Sequence, residues 1–272
     1  MSALWESESF RRVAGKVWRP GGTALTARGL ELCHELCGLA SGQLVLDLGC
    51  GCGATVALLH KAGYGVLGLD RQVQPDAASL TDQDKINIIQ ADMTCLPLAA
   101  NCAGALVCEC VLSLLPDPLA ALRQCLRVLR PGGALLFTDL TRREPDPPAT
   151  AAKTCHSQEG FAACSTVSSS GRRPELSPEL SAGFYATQAK GSSCMDGACP
   201  AAQWGQYLTQ AGFQIVHYED HTRALVELAA RMVWYADAGA ETSGASGGCS
   251  CISSGGGRKF GYGLWIAQKE KA

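Results

Sequence analysis

The segment from Gln43 to Gly53 constrains this chain more than any other. A short apolar run containing Val45-Leu46-Asp47-Leu48 passes without a spacer into Gly49-Cys50-Gly51-Cys52-Gly53. Glycines at a strand-to-helix turn let the backbone approach a ligand closely, and the helix that follows offers unpaired N–H groups at its start. Residues 54 to 62 read as that helix. The strand pattern then recurs at Gly65 to Asp70, Ile86 to Gln90 and Ala103 to Cys108. An amphipathic helix follows at Asp117 to Leu129, stopped by Pro131-Gly132-Gly133, and Ala134 to Thr138 reads as a fifth strand. Strands alternating with helices at this spacing imply right-handed βαβ units and a parallel sheet covered on both faces. The fold class expected is therefore α/β, a Rossmann-like, mostly parallel sheet with helices on both faces.

The flanks divide the chain further. Residues 24 to 38 have helical apolar spacing and end on Gly38, a helix with its C-cap, within an N-terminal helical lid over 1–42. The core spans 43–140. Residues 141–200, rich in Ser, Thr, Pro and Gly, read as a substrate-side insertion after the fifth strand. Order returns over 201–272: a helix at Ala201 to Gly212, a strand at Phe213 to Glu219, a helix over 222–237 and a last strand at Gly261 to Gln268. Between the last two, residues 239–257 hold 12 Gly or Ser in 19 positions and read as a mobile loop.

Composition excludes several classes. With 47% hydrophobic and 18% charged residues over 272 positions, the chain can fill a sizeable core. A net charge of −2 gives no reason to expect nucleic acid or an anionic membrane as partner. The N-terminus has no long apolar run and no stretch approaches bilayer-spanning length, so a soluble, cytoplasmic protein is expected. Fifteen cysteines are then read as thiols, with Cys33, Cys37, Cys95 and Cys125 as small core hydrophobes. No CxxC spacing supports a structural zinc site.

The glycine turn alone is ambiguous, since Gly49, Gly51 and Ala54 also satisfy a dinucleotide fingerprint, and Asp70 suits ribose hydroxyls in either case. Three features decide. Asp47 lies inside the first strand; Asp92, followed by Met93, follows the third strand, where a carboxylate can accept from an adenine amino group; and Leu126-Arg127-Val128-Leu129-Arg130-Pro131-Gly132-Gly133 leads into the fifth. Together these resemble class I S-adenosylmethionine-dependent methyltransferases. The resemblance implies a seven-stranded sheet with its last strand antiparallel and S-adenosylmethionine as cofactor. It puts Gly49, Gly51 and Gly53 at the methionine end, Asp70 with Arg71 at the ribose and Asp92 with Met93 at the adenine. Asp47 and Glu109 complete the expected cofactor set. The alternative reading of Asp92 is a helix N-cap or turn residue.

Methyl transfer from a sulfonium is a direct displacement that needs orientation and a dry pocket more than a strong base. No general base is nominated, and His60 is expected to be a packing or surface residue. Two cysteine segments flank the expected acceptor side: Glu109-Cys110-Val111 through Asp117, and Ser193-Cys194-Met195-Asp196-Gly197-Ala198-Cys199-Pro200. This pair resembles the arsenite methyltransferase family, which implies Cys110 and Cys194 as ligands of trivalent arsenic, the substrate, with Cys199 as a third. A soft, thiophilic centre suits such thiolates. The chain departs from that family at Val56, where a further cysteine is expected; Cys50 and Cys52 lie nearby but inside the glycine turn. The alternatives are a small organic acceptor (quinone, phenol or thiol) and a non-catalytic thiol or metalloid-binding protein, with a nicotinamide dehydrogenase more distant. Cys249-Ser250-Cys251 could deliver thiols or exchange with a thiol reductant.

Overall fold

In the computed structural model, the residues described are 17, 19–72, 87–143, 194–237 and 259–271. The expected insertion over 141–200 falls mostly outside them, as does the Cys249-Ser250-Cys251 segment. Helix α1 (Gly22–Cys37) comes first, closed by Gly38 at φ 70°. Strand β1 (Leu44–Leu48), helix α2 (Ala54–Lys61), strand β2 (Gly65–Asp70), strand β3 (Asn87–Gln90) and strand β4 (Ala103–Glu109) follow. A single 3₁₀ turn, Leu112–Leu114, leads to helix α3 (Pro118–Val128). Pro118 opens this helix and the Asp117 carboxylate accepts from the Ala120 N–H at 3.0 Å, a cap that fixes where it begins. Strand β5 (Leu129–Arg142), helix α4 (Ala201–Ala211), strand β6 (Phe213–Asp220), helix α5 (Thr222–Asp237) and strand β7 (Phe260–Lys269) complete the order.

The strands form one seven-stranded sheet in the order β3-β2-β1-β4-β5-β7-β6. The pairs from β3 to β5 are parallel, and β7 runs antiparallel to both β5 and β6. The direction in which the strand order runs switches between β1 and β4, so the connections that leave their C-terminal ends go opposite ways. In open α/β sheets that is where ligands bind.

Side-chain alternation sorts the core. Val45, Ala105, Val107, Leu136, Leu264 and Ile266 pack on one face with Leu25, Leu30 and Cys33 of α1. Leu46, Leu48, Leu106, Cys108, Leu135 and Phe137 face the other way, against Leu122, Cys125 and Val128 of α3 and Trp204 and Leu208 of α4. Phe137 stacks on Trp265 with centroids 5.0 Å apart, and the Trp204 indole donates to the Leu140 carbonyl at 2.9 Å. Burying such a side chain stabilises by roughly 1.5–3 kcal/mol, so these residues dominate the cohesion of the second face.

Three details differ from expectation. The fifth strand is longer than Ala134 to Thr138: it starts at Leu129 and takes in Pro131-Gly132-Gly133. That tripeptide does end the helix, but it then serves as an irregularity within the strand, where Gly132 has φ 75° and the register with β4 shifts between Ala103 and Ala105. Cys33 and Cys125 are buried as expected, whereas Cys37 is half-buried and Cys95 is exposed. Finally, α1, placed by the sequence within a lid, packs directly on the sheet through Leu25, Leu30, Leu32 and Cys33. The 222–237 helix and the other elements match their expected positions within a few residues.

Candidate active site

The glycine turn is built by the backbone. The N–H groups of Gly49 and Cys50 donate to the Leu69 carbonyl at 2.7 and 3.1 Å, tying the end of β1 to β2. Gly49 has φ 72°, and a Cβ there would collide with the Val111 side chain, so the turn passes directly under the segment that follows β4. Gly51 donates to Asp70 Oδ2 at 2.8 Å, while Gln72 N–H reaches Oδ1 at 2.8 Å. Gly53, at φ 82°, caps α2. The sequence-nominated Gly49, Gly51, Gly53 and Asp70 are thus brought together at one strand end.

The adenine-side candidates divide. Asp92 is exposed, and Oδ1 accepts from the Thr94 N–H at 2.8 Å and hydroxyl at 2.7 Å; these bonds hold its carboxyl below the ordinary range, helped by nearby Arg71. This is a turn geometry, one of the two readings open for it. Arg71 is exposed, and its carbonyl accepts from the Gln90 side chain at 3.0 Å. The Met93 side chain is buried in the core cluster with Leu69 and Leu96.

A buried polar cluster, largely unanticipated, lies at the ends of β1 and β4 on the α1 face. Glu109, nominated from the sequence, is ion-paired to Arg19 at 2.8 Å. It also accepts from the Thr26 hydroxyl at 3.0 Å and from Thr55 at 3.3 Å, while Arg19 donates to Thr26. Asp47 is 3% exposed, and burial, with Glu109 and Asp70 adding repulsion and Arg19 opposing, pushes its carboxyl up to about 8. Among the described residues, Asp47 Oδ2 and Arg19 Nε are buried without a hydrogen-bond partner. Orphaned polar atoms beside a glycine turn fit a ligand whose own polar groups replace water. The residues therefore fit S-adenosylmethionine.

The acceptor candidates also come together. Gly197 packs so closely on the Ser113 carbonyl that no Cβ fits between them, which docks residues 194–199 onto the turn after β4. The Arg142 N–H donates to the Cys199 carbonyl at 2.9 Å, fixing the other end of that segment. Cys110 and Cys194 share one apolar cluster with Tyr262. Cys110 has φ 57°, unusual for a residue with a side chain, and its Sγ lies 2.9 Å from Tyr262 Oη, itself 2.9 Å from the Thr138 hydroxyl. Burial, then Asp139, pushes the Cys110 thiol well above its ordinary value, and the same causes push Cys199 up to about 12. Both thiols are protonated at neutral pH. Among the described residues, no three His, Cys, Asp or Glu side chains converge closely enough to hold a metal ion.

Asp139 was not anticipated. It is fully buried in β5, accepts from Ser113 N–H at 3.0 Å and Ser113 Oγ at 2.6 Å, and burial lifts its carboxyl to about 6. A carboxylate inside the apolar run Leu135-Leu136-Phe137-Thr138-Asp139-Leu140 is a signal that sequence reading could have used. Arg19, Thr26 and Tyr262 carry no comparable local signal. His60 is exposed, and Val56 is buried against Cys50.

Residues 46–137 match the family described as "Methyltransferase domain". Over those residues the chain is similar to methyltransferase domains. Among curated relatives, a "Ubiquinone biosynthesis O-methyltransferase" of Actinobacillus pleuropneumoniae serotype 7 (strain AP76) is 26% identical over 151 residues, 50% of this chain and 64% of that protein. The match thus spans less than two thirds of that relative's length. Among solved structures, phosphoethanolamine N-methyltransferase 2 of Haemonchus contortus with S-adenosyl-L-methionine superposes with a TM-score of 0.65 at 15% identity, covering 97% of this chain and 56% of that one. The [4+2]-cyclase SpnF superposes at 0.62 with 20% identity, covering 98% and 86%. At such identities the structural likeness carries the fold alone, and that a cyclase shares it shows that the fold does not by itself fix the chemistry. Among the described residues, no helix is long and apolar enough to cross a membrane.

Proposed function

We propose that this chain transfers the methyl group of S-adenosylmethionine to a hydroxyl of a small organic acceptor of the phenol or quinol class. The observation that carries the acceptor class is the hydrogen bond between Cys110 and Tyr262, which occupies the Cys110 Sγ as part of a pocket wall. The kinship to a protein named for O-methylation in ubiquinone biosynthesis supports the same class. In the reaction the acceptor oxygen forms a bond to the methyl carbon as the carbon–sulfur bond breaks, and the electron pair stays on sulfur. The hydroxyl proton must leave. Asp139, lifted to about 6 by burial and joined to Ser113 Oγ, is the carboxylate on this side suited to hold it near neutral pH. Orientation and exclusion of water supply most of the remaining rate.

A second reading, methylation of arsenite, is favoured by one specific observation: the docking of residues 194–199 on Ser113 that brings Cys194 to Cys110. Protonated thiols do not forbid it, because each arsenic–sulfur bond made from a thiol and an As–OH group releases one water.

The experiment is transfer of labelled methyl from S-adenosylmethionine to a catechol and hydroquinone panel, and separately to arsenite with a thiol reductant. The intact chain is compared with Cys110→Ser/Cys194→Ser. Label in organic products that persists in the double variant supports the first reading. Label only in methylarsenicals, lost in the double variant, replaces it with the second.

A further inference from the structure

The glycine turn carries two thiols that methyl transfer does not use. Cys50 and Cys52 are separated by Gly51 alone, and both are thiols in the structure. They differ in access: Cys50 is buried against Val56, Ala57, Val66 and Ile88, whereas Cys52 is half-buried. Cys50 Sγ packs so tightly on β2 that a Cβ at Gly68 would lie 3.0 Å from it. The backbone around the pair is a tight turn, closed by Gly53 N–H donating to the Cys50 carbonyl at 2.8 Å, with Gly51 at φ 54°. Two Cα steps of about 3.8 Å folded into such a turn leave Cys50 and Cys52 roughly 5–6 Å apart, inside the Cα range that a disulfide takes. The thiols also act on each other: burial first, then Asp47, Asp70 and Cys52, push the Cys50 thiol up.

We propose that Cys50 and Cys52 are a modification site, closing into a reversible disulfide that disables the glycine turn as a binding surface. The oxidant is a small-molecule disulfide such as oxidised glutathione. Cys52, the more accessible of the two, attacks one sulfur of the oxidant as a thiolate, forming a mixed disulfide and expelling a thiolate. Cys50 then attacks the Cys52 sulfur, which closes the ring and expels the second thiolate. One external disulfide is thereby reduced to two thiols, which take up the two protons that Cys50 and Cys52 give up. Closing the ring draws Cys50 Sγ out of its packing against Gly68 and Val56. That movement re-aims the backbone whose Cys50 N–H holds the Leu69 carbonyl and whose Gly51 N–H holds Asp70. A ring this small is strained, and strain makes the bond easy to reduce, as a reversible modification requires. The effect on the cofactor rests on the methyltransferase reading; the disulfide itself does not. By linkage, cofactor bound to the dithiol form opposes ring closure by the same factor as closure weakens its binding.

The test treats the full chain with oxidised glutathione, with and without saturating S-adenosylhomocysteine. Remaining thiols are then blocked in denaturant and the peptides mapped by mass spectrometry. The expected result is one peptide carrying both residues unblocked and two hydrogens lighter, restored by dithiothreitol and opposed by S-adenosylhomocysteine. Titration with S-adenosylhomocysteine is expected to show affinity lower by about tenfold or more after oxidation, the size of one or two lost hydrogen bonds. Cys52→Ser, compared with itself before and after oxidation, is expected to keep its affinity within about twofold. Both residues blocked after oxidation, either one joined to a different cysteine, or glutathione left on Cys52 without ring closure overturns the proposal. So does a ring that forms without weakening binding, or a Cys52→Ser chain that loses affinity as the parent does. The mapping needs no variant, so it stays decisive where Cys52→Ser does not fold. A reduced parent that binds no S-adenosylhomocysteine removes the methyltransferase reading, and the mapping still decides the disulfide.

Discussion

The glycine turn and the acceptor wall lie at the same end of one sheet but are made in different ways. The turn is assembled from neighbours: Gly49, Gly51 and Gly53 are within five residues of one another, and their bonds run to the adjacent strand end at Leu69 and Asp70. The wall is assembled from the far ends of the chain. Cys110 bonds Tyr262 across 152 residues, and Gly197 packs against the Ser113 carbonyl. A site made from local backbone tolerates side-chain change around it, whereas a site made from distant side chains depends on every element that carries one of them. The two halves should therefore fail separately.

The largest expected separation comes from Gly197→Val. Its side chain collides with the Ser113 carbonyl and must undock residues 194–199. Methyl transfer is expected to fall by at least about a hundredfold, on the order of the 1–3 kcal/mol or more that overpacking costs together with loss of reactant positioning, while cofactor affinity stays within about threefold. Turnover assays alongside cofactor titration read both quantities, and a parallel loss of cofactor binding would join the halves that the geometry keeps apart.

The next effect lies in the cofactor half and depends on pH. Asp47 is raised to about 8 in the folded chain, above its ordinary carboxylate value. Between roughly pH 4 and that value the folded chain holds a proton that the unfolded chain has released. The stability linked to this group is therefore full at acid pH and is lost as pH rises towards about 8. Asp47→Asn, which cannot ionise, should flatten that slope, gaining stability over the parent on the order of a few kcal/mol at about pH 8. Thermal melts across that range check it; an unchanged slope would mean that Asp47 is ionised throughout.

The smallest effect is that of Tyr262→Phe. It leaves Thr138 and Cys110 without their shared partner, at a cost of about 1–2 kcal/mol in stability. Acceptor KM should rise while cofactor affinity does not move, which steady-state kinetics and titration separate.

Most of the fold was legible because its strands are short apolar runs bounded by turns and some helix ends carry capping residues, Asp117 at the start of α3 and Gly38 at the end of α1. The length of β5 was not, because Pro131-Gly132-Gly133 is written like a terminator and only the pairing with β4 makes it part of a strand. The candidate site follows the same rule. Asp70 and the glycines are named by a contiguous motif. The burial of Met93, one residue from the exposed Asp92, is not revealed by strand-end chemistry alone. Arg19 and Tyr262 become visible only when α1 and β7 are laid beside β4, and Asp139 was hidden inside an apolar strand although its charge marks it there.

The central claim is that the cofactor half is complete without the cysteine wall. Titration of S-adenosylmethionine into the full chain and into Cys110→Ser/Cys194→Ser tests it most directly. Saturable binding of one equivalent with the same affinity in both, within about threefold, is the predicted result. Absence of binding in the parent, or its loss in the double variant with the fold intact, would contradict the account.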